Sequence, residues 1–125
     1  MKEKKKANVL LVDSDKISLM YYGEILKNYF TNIYKTENGQ SAKGIISQLE
    51  DKQACFDLAI IYNKLDDMPG QEICQLVRAK NQKAKIITVT TNPFSYKIAN
   101  ARAEGFDNYL LKPVTVQKFL EVIRD

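Results

Sequence analysis

Four short apolar runs, Val9 to Val12, Leu58 to Ile61, Lys85 to Thr90 and Tyr109 to Leu111, each stop at a polar turn, and amphipathic stretches lie between them. Runs this short, β-branched and leucine-rich, with no polar face of their own, need apolar cover on both sides. Strands alternating with helices meet that need in one way. A parallel sheet forms, and its crossover helices run back over both faces.

The first run closes on Asp13-Ser14-Asp15, a strand end followed by a helix N-cap. Lys16 to Phe30 is free of proline, and Ile17, Tyr21, Ile25 and Tyr29 recur at four-residue spacing, which predicts the buried face of a first helix. Asn32 to Thr36 reads as an edge strand. Asn38-Gly39 marks a turn into a second helix that carries Ala42, Ile45, Ile46 and Leu49. The central run Leu58 to Ile61 stops at Tyr62-Asn63, and the irregular segment 64–69 leads to Gly70, where a third helix with Ile73, Leu76 and Val77 inward opens. Thr91-Asn92-Pro93 predicts the start of a fourth helix, with proline in the first turn, and Gly105 its end. Val116, Phe119, Leu120 and Ile123 form the buried stripe of a fifth. The order is (βα)5, an α/β, doubly wound, five-stranded parallel sheet. In such open sheets the functional crevice lies beyond the strand carboxyl ends, here Asp13 to Asp15, Tyr62 to Pro69, Thr90 to Pro93 and Lys112-Pro113.

Length and charge narrow the function. A chain of 125 residues fits one domain. The net charge of +4 comes mostly from the stub MKEKKK, so residues 1–7 are expected to be a basic flexible N-terminus and 8–125 the folded domain. A near-neutral body argues against direct nucleic-acid binding. Tyr21, Tyr22, Tyr29 and Phe30 lack the interleaved cations of a base-stacking platform. With no histidine, the chain lacks the commonest general base and zinc ligand. Cys55 and Cys74 read as reduced apolar thiols. No apolar run approaches the roughly 18 residues of a membrane span, so a cytoplasmic protein with no membrane contact is expected.

The segments LLVDSD, FDLAIIYNKLDDMPG, ITVTTN and GFDNYLLKPV, in that order and spacing, resemble the receiver domain of bacterial two-component response regulators over residues 8 to 124. The resemblance implies the flavodoxin-like, CheY-like sheet with strand order 2-1-3-4-5. It also implies a site in which an acidic pair after the first strand binds Mg²⁺ and an aspartate ending the third accepts phosphate from a histidine kinase. Eight residues back from Gly70, the acceptor position falls on Tyr62; Ser14 stands at the second acidic position, and only Asp13 matches the pair. Thr90, Lys112 and Tyr109 match the residues that read the phosphoryl group and follow the switch, and the Lys112-Pro113 bond is implied to be cis. The expected reading is therefore an atypical pseudo-receiver, with no catalytic residue and no cofactor, that acts by protein–protein interaction in phosphorelay signalling.

Loss of two carboxylates suggests a direct contact from Lys112 to Asp13, or a hydrogen bond from Lys112 to Tyr62. Asp57, at the start of the third strand, lies about 17 Å from Tyr62 at the wrong end of the sheet. Asp13, Asp15 and Asp66 are weak metal candidates, with Asp67 beside them, since Mg²⁺ prefers several carboxylate-anchored oxygens. The alternative is a phosphoacceptor that uses Asp13 or Asp66 with a histidine kinase. A flavin binder on the same topology would need a glycine-rich phosphate loop that Asp13 to Lys16 does not provide. The expected partner is a protein, whether kinase, output domain or second copy. It would meet the face of the fourth helix, fifth strand and fifth helix, through Tyr96, Lys97, Asn100, Arg102, Asp107, Gln117, Lys118 and Glu121.

Overall fold

A computed structural model describes residues 3–92 and 96–124. The chain runs β1 (Lys5–Val12), α1 (Lys16–Leu26), β2 (Phe30–Thr36), α2 (Gly39–Asp51), β3 (Leu58–Tyr62), α3 (Gly70–Lys80), β4 (Lys85–Thr90), α4 (Ile98–Ala103), β5 (Asn108–Leu111) and α5 (Val116–Arg124). The five strands form one sheet in the order β2-β1-β3-β4-β5, and every neighbouring pair is parallel. The order reverses between β1 and β3, so the ends of these two strands flank the switch point where such sheets place their ligands.

Alternation along the central strands divides the core in two. Leu10, Val12, Ala59, Ile61 and Ile86 face α2, α3 and Ala101 of α4. Val9, Leu11, Ile60, Ile87 and Val89 face α1 and α5, which are joined by Tyr22 stacked on Phe119 at 5.2 Å. Each large side chain so enclosed contributes roughly 1.5 to 3 kcal/mol relative to exposure.

Helix α1 is rotated from its expected setting. Leu19, Tyr22 and Leu26 are buried, whereas Ile17 is 76% and Tyr21 36% exposed. Both stripes have helical spacing, and the sheet takes the one whose Tyr22 meets Phe119. The helix ends at Leu26, which leaves Tyr29 in the turn and exposed while Phe30 opens β2 two residues earlier than expected. Strand β1 begins at Lys5, inside the segment 1–7 expected to be flexible, and the Lys5 amide donates to the Tyr29 carbonyl. In α5, Phe119 and Val122 are buried and Val116 is 47% exposed.

Helix α4 begins at Ile98. The expected start at Thr91-Asn92-Pro93 is not adopted: Thr91 and Asn92 are non-helical, and Pro93 lies outside the described residues. The helix ends before Gly105, whose φ of +100° favours glycine. Among the described residues, no helix is long and apolar enough to cross a membrane.

Candidate functional site

Asp13 follows β1 directly and is 2% exposed. Its Oδ1 accepts the Asp15 amide at 2.9 Å, which fixes the carboxylate at the mouth of the switch point. Its Oδ2 lies 3.0 Å from the Lys112 ammonium, and no hydrogen-bond donor is aligned on that oxygen among the described residues. Lys112 reaches it from the end of β5, where its amide donates to the Thr90 carbonyl. The Lys112-Pro113 bond is cis.

Of the two expected contacts of Lys112, the one to Asp13 forms. The hydrogen bond to Tyr62 does not, and the ammonium instead sits over the Tyr62 ring, 4.5 Å from its centroid. A cation against a ring face is held by the ring quadrupole. Tyr62 ends β3, half-buried, with its hydroxyl 3.4 Å from that of Thr91. Gly70 packs on it so closely that a Cβ there would stand 2.4 Å from the Tyr62 carbonyl oxygen. That approach ties the opening of α3 to the end of β3, which is why the eight-residue count finds the strand end.

Thr90, 1% exposed, has a committed hydroxyl: its Oγ1 accepts the Asn63 side-chain amide and the Asn92 backbone amide, both at 3.2 Å. Sequence reasoning missed Asn63, because nothing local distinguishes it from a residue that merely ends a strand. Ser14 lines a polar hollow with Glu37, Asn38, Gln40, Asp66 and Asp67.

The carboxylates around the pocket have separate duties. Asp15 caps α1, accepting the Ile17 amide and the Ser18 hydroxyl at 3.0 Å each, and these bonds, the hydroxyl first, hold its carboxyl below the usual range. Asp67 reaches across to α2 and accepts the amides of Gly39 at 2.8 Å and Gln40 at 2.9 Å, which lower its carboxyl likewise. Asp66 is exposed on the same loop. Asp57 sits at the amino end of the sheet, bonded to the Asn8 amide. Among the described residues, no three acidic or thiol groups converge as a metal site. Burial pushes the Cys74 thiol up to about 11, as expected of an inert core cysteine.

On the face of α4, β5 and α5, Lys97, Asn100, Arg102, Asp107, Gln117, Lys118 and Glu121 are exposed. Two residues expected there have other engagements. Tyr96 is half-buried, with its ring edge-on to Tyr109 at 5.7 Å and its hydroxyl donating to Glu104. Asp107 accepts from Arg78 at 2.9 Å and from the Ile86 amide at 2.8 Å. Arg78 also donates to the carbonyls of Ala84 and Gly105, so Asp107 belongs to a hub that ties α3, β4 and the turn before β5.

The family model for the response regulator receiver domain matches residues 9–124. A chemotaxis protein CheY homolog of Campylobacter jejuni is 31% identical over 108 residues, which cover 81% of this chain and 80% of the relative. A cyclic di-GMP phosphodiesterase of Thermotoga maritima is 27% identical over 87% of this chain, but the match spans 28% of that relative. It spans 13% of the sensor protein GacS of Pseudomonas syringae. Among solved structures, the CheY-like receiver domain protein of Methanospirillum hungatei shares 26% identity with a TM-score of 0.76, covering 96% of this chain and 92% of that one. The fold is shared with CheY4 of Vibrio cholerae, at a TM-score of 0.78 and 22% identity, covering 96% and 98% of the two chains.

Proposed function

This chain belongs to the response regulator receiver domain family of two-component signalling, and on that premise we propose that it is a pseudo-receiver, which works by contact with a protein partner and takes up no phosphoryl group. The observation that carries this reading is the end of β3, where Tyr62 stands packed on Gly70 and its ring lies under the Lys112 ammonium. A tyrosine there offers no carboxylate to accept phosphate. Asp13 is the acidic side chain that pairs with Lys112 in the pocket, and the ammonium meets it at 3.0 Å.

That donor set does not fit Mg²⁺, which takes near-octahedral oxygen and carboxylates that offset its charge. The neighbouring Asp15 and Asp67 are engaged by helix amides, and Asp66 is exposed on the loop that follows β3. Asp66 is therefore the stronger of the two alternative acceptors, since Asp13 is buried and bonded on one oxygen and paired on the other. In-line transfer demands close positioning that an exposed loop carboxylate lacks.

The partner face in this reading is that of α4, β5 and α5, with Lys97, Asn100, Arg102, Asp107, Gln117, Lys118 and Glu121 at its surface and Leu111 and Val116 as its exposed apolar members. The partner is a histidine kinase, an output domain or a second copy of the chain. The test is incubation with Mg²⁺ and a small-molecule phosphodonor, read by intact mass. No phosphoryl adduct is expected; an adduct mapped to Asp66 or Asp13 would replace this reading with the phosphoacceptor one. The double variant Tyr62→Asp with Ser14→Asp restores the acidic set and is expected to gain a saturable thermal stabilisation by Mg²⁺.

A further inference from the structure

The amino end of the sheet, opposite the pocket, gathers cations from all three layers of the fold. In the sheet itself, Lys5 and Lys6 open β1, and the Thr31 hydroxyl and Asn32 side-chain amide hold their carbonyls at 3.3 and 3.0 Å. On one side, α2 ends at its C-cap Lys52. There too Asn81, the C-cap of α3, bonds the Phe56 carbonyl at 3.1 Å, which brings the loop carrying Lys83 beside the start of β3. On the other side, the Lys5 amide meets the Tyr29 carbonyl just past α1, and α5 ends at Arg124, where Lys85 of β4 donates to the Ile123 carbonyl at 2.9 Å.

The acids at this end are mostly committed. Glu24 pairs with Lys27 at 2.6 Å, Glu50 with Lys80 at 2.8 Å and Asp107 with Arg78 at 2.9 Å, while Asp57 accepts the Asn8 amide. Lys4, Lys5, Lys6, Lys52, Lys83 and Arg124 are exposed and form no ion pair among the described residues. Among those residues, the exposed Glu3 and Asp51 remain to offset them. The carboxyl end has the opposite character, with Asp15, Glu37, Asp66 and Asp67 exposed against Lys16 and Lys64. Charge is thus separated along the strand axis. Helix C-termini attract cations by themselves, which accounts for Lys27, Lys52, Lys80 and Arg124. It does not account for Lys4 to Lys6 at a strand start, or for Lys83 in a loop. Tyr29 adds an aromatic to the same end: it is 41% exposed, with its carbonyl on the Lys5 amide.

We propose that this end of the sheet is a docking face for an anionic lipid bilayer, drawn by its lysines and seated by Tyr29. A cluster of about four to eight Lys and Arg is what such a surface attracts, each worth about fivefold in affinity. A tyrosine among them places its ring on the acyl side and its hydroxyl in the headgroups. Spread over three layers, the cations define a plane; a nucleic-acid backbone would take a stripe, and one tyrosine offers no row for stacking. The expectation of no membrane contact rested on the lack of a span, and peripheral attachment needs none. Docked in this way, the pocket points away from the bilayer and the face of α4, β5 and α5 stands to the side, open to a protein partner. The docking face lies at the far end of the sheet from Tyr62 and Lys112, so its test and the phosphodonor test fail independently.

The experiment is sedimentation of the whole chain with vesicles of phosphatidylcholine, alone or with about 30% phosphatidylserine. Binding to the anionic vesicles, none to the neutral ones, and weakening as salt rises are expected. The triple variant Lys5→Gln, Lys52→Gln, Arg124→Gln takes one cation from each layer and is expected to lose about a hundredfold in affinity. The triple variant Lys16→Gln, Lys35→Gln, Lys64→Gln removes the same charge toward the carboxyl end and is expected to lose less than about threefold. Equal losses in the two would overturn the face, leaving net charge alone. Absence of binding to the anionic vesicles at low salt would also overturn it, and retention on duplex DNA in that case would give the same lysines to nucleic acid.

Discussion

The two helical flanks of the pocket are secured to very different degrees. On the α2–α3 flank, Asp67 accepts two α2 amides, Met68 fills the space over Gly39, and each helix buries four residues. Two ion pairs, Lys43 with Glu72 at 2.6 Å and Lys80 with Glu50 at 2.8 Å, add little because they are largely solvated. Among the described residues, α4 buries one alanine, and Tyr96 before it packs on Tyr109 and donates to Glu104. The loop that leaves β3 at Tyr62 is thus fastened to a rigid wall, and the opposite side of the same sheet face carries the element with the fewest anchors. A signalling domain keeps its capacity for change where stability is locally low.

Gly70→Ala attacks the rigid flank at its tightest point. Its Cβ would press on the Tyr62 backbone oxygen, which cannot rotate away, so a loss of about 3 kcal/mol is expected in denaturant unfolding. A neutral result would mean that α3 can slide, and the contrast between the flanks would weaken. Lys112→Met leaves the Asp13 carboxylate buried without its cation; because Lys112 is 19% exposed, a loss of about 2 kcal/mol is expected, below that of a fully buried pair. The companion Lys112→Met, Asp13→Asn is expected to recover part of it.

Asp67→Asn is expected to lower the Tm by a few degrees at neutral pH and to leave exchange in α4 unaltered. The sign of its pH dependence follows from the lowered carboxyl. The stabilisation is present above the ordinary aspartate value of 3.8 and is lost as pH falls through the lower folded-state value, so wild type and variant should converge in strong acid. A difference that persisted there would assign the effect to something other than the two amide bonds. Smallest is Asn100→Ala, which removes the acceptor of the Lys97 amide. A cost of about 0.5 kcal/mol, seen in α4 exchange before it is seen in Tm, would sharpen the comparison.

Much of the molecule was legible without coordinates. Strand β4 was bounded correctly by its apolar run alone, and a cap at Ser14 or Asp15 was legible from their position before a periodic stretch, with Asp15 the one that supplies it. The site was legible as a set of strand ends, and the approach of Lys112 to Asp13 followed from the missing carboxylates. The cation over the Tyr62 ring was not, since an expected hydrogen bond and a ring-face contact look alike in sequence. Asn63 and Glu104 were missed for a related reason: their partners Thr90 and Tyr96 are 27 and 8 residues away, and no spacing rule links them.

By itself the sequence determined what depends on neighbours along the chain: the alternation of strands and helices, the polar turns at the strand ends, and the absence of a carboxylate at Tyr62 and Ser14. The tertiary structure alone decided what depends on distant surfaces competing for the same side chains. Ile17 and Tyr21 had helical spacing as good as that of Leu19 and Tyr22, and only the position of Phe119 chose between the stripes. Asp107 had the composition of a surface residue, and only the approach of Arg78 and the Ile86 amide made it a strut. Tyr96 was equally suited to solvent or to Tyr109, and the ring beside it turned it inward. Periodicity states that a face is apolar; which face is buried is a difference between two packings, and that difference exists only once both partners are in place.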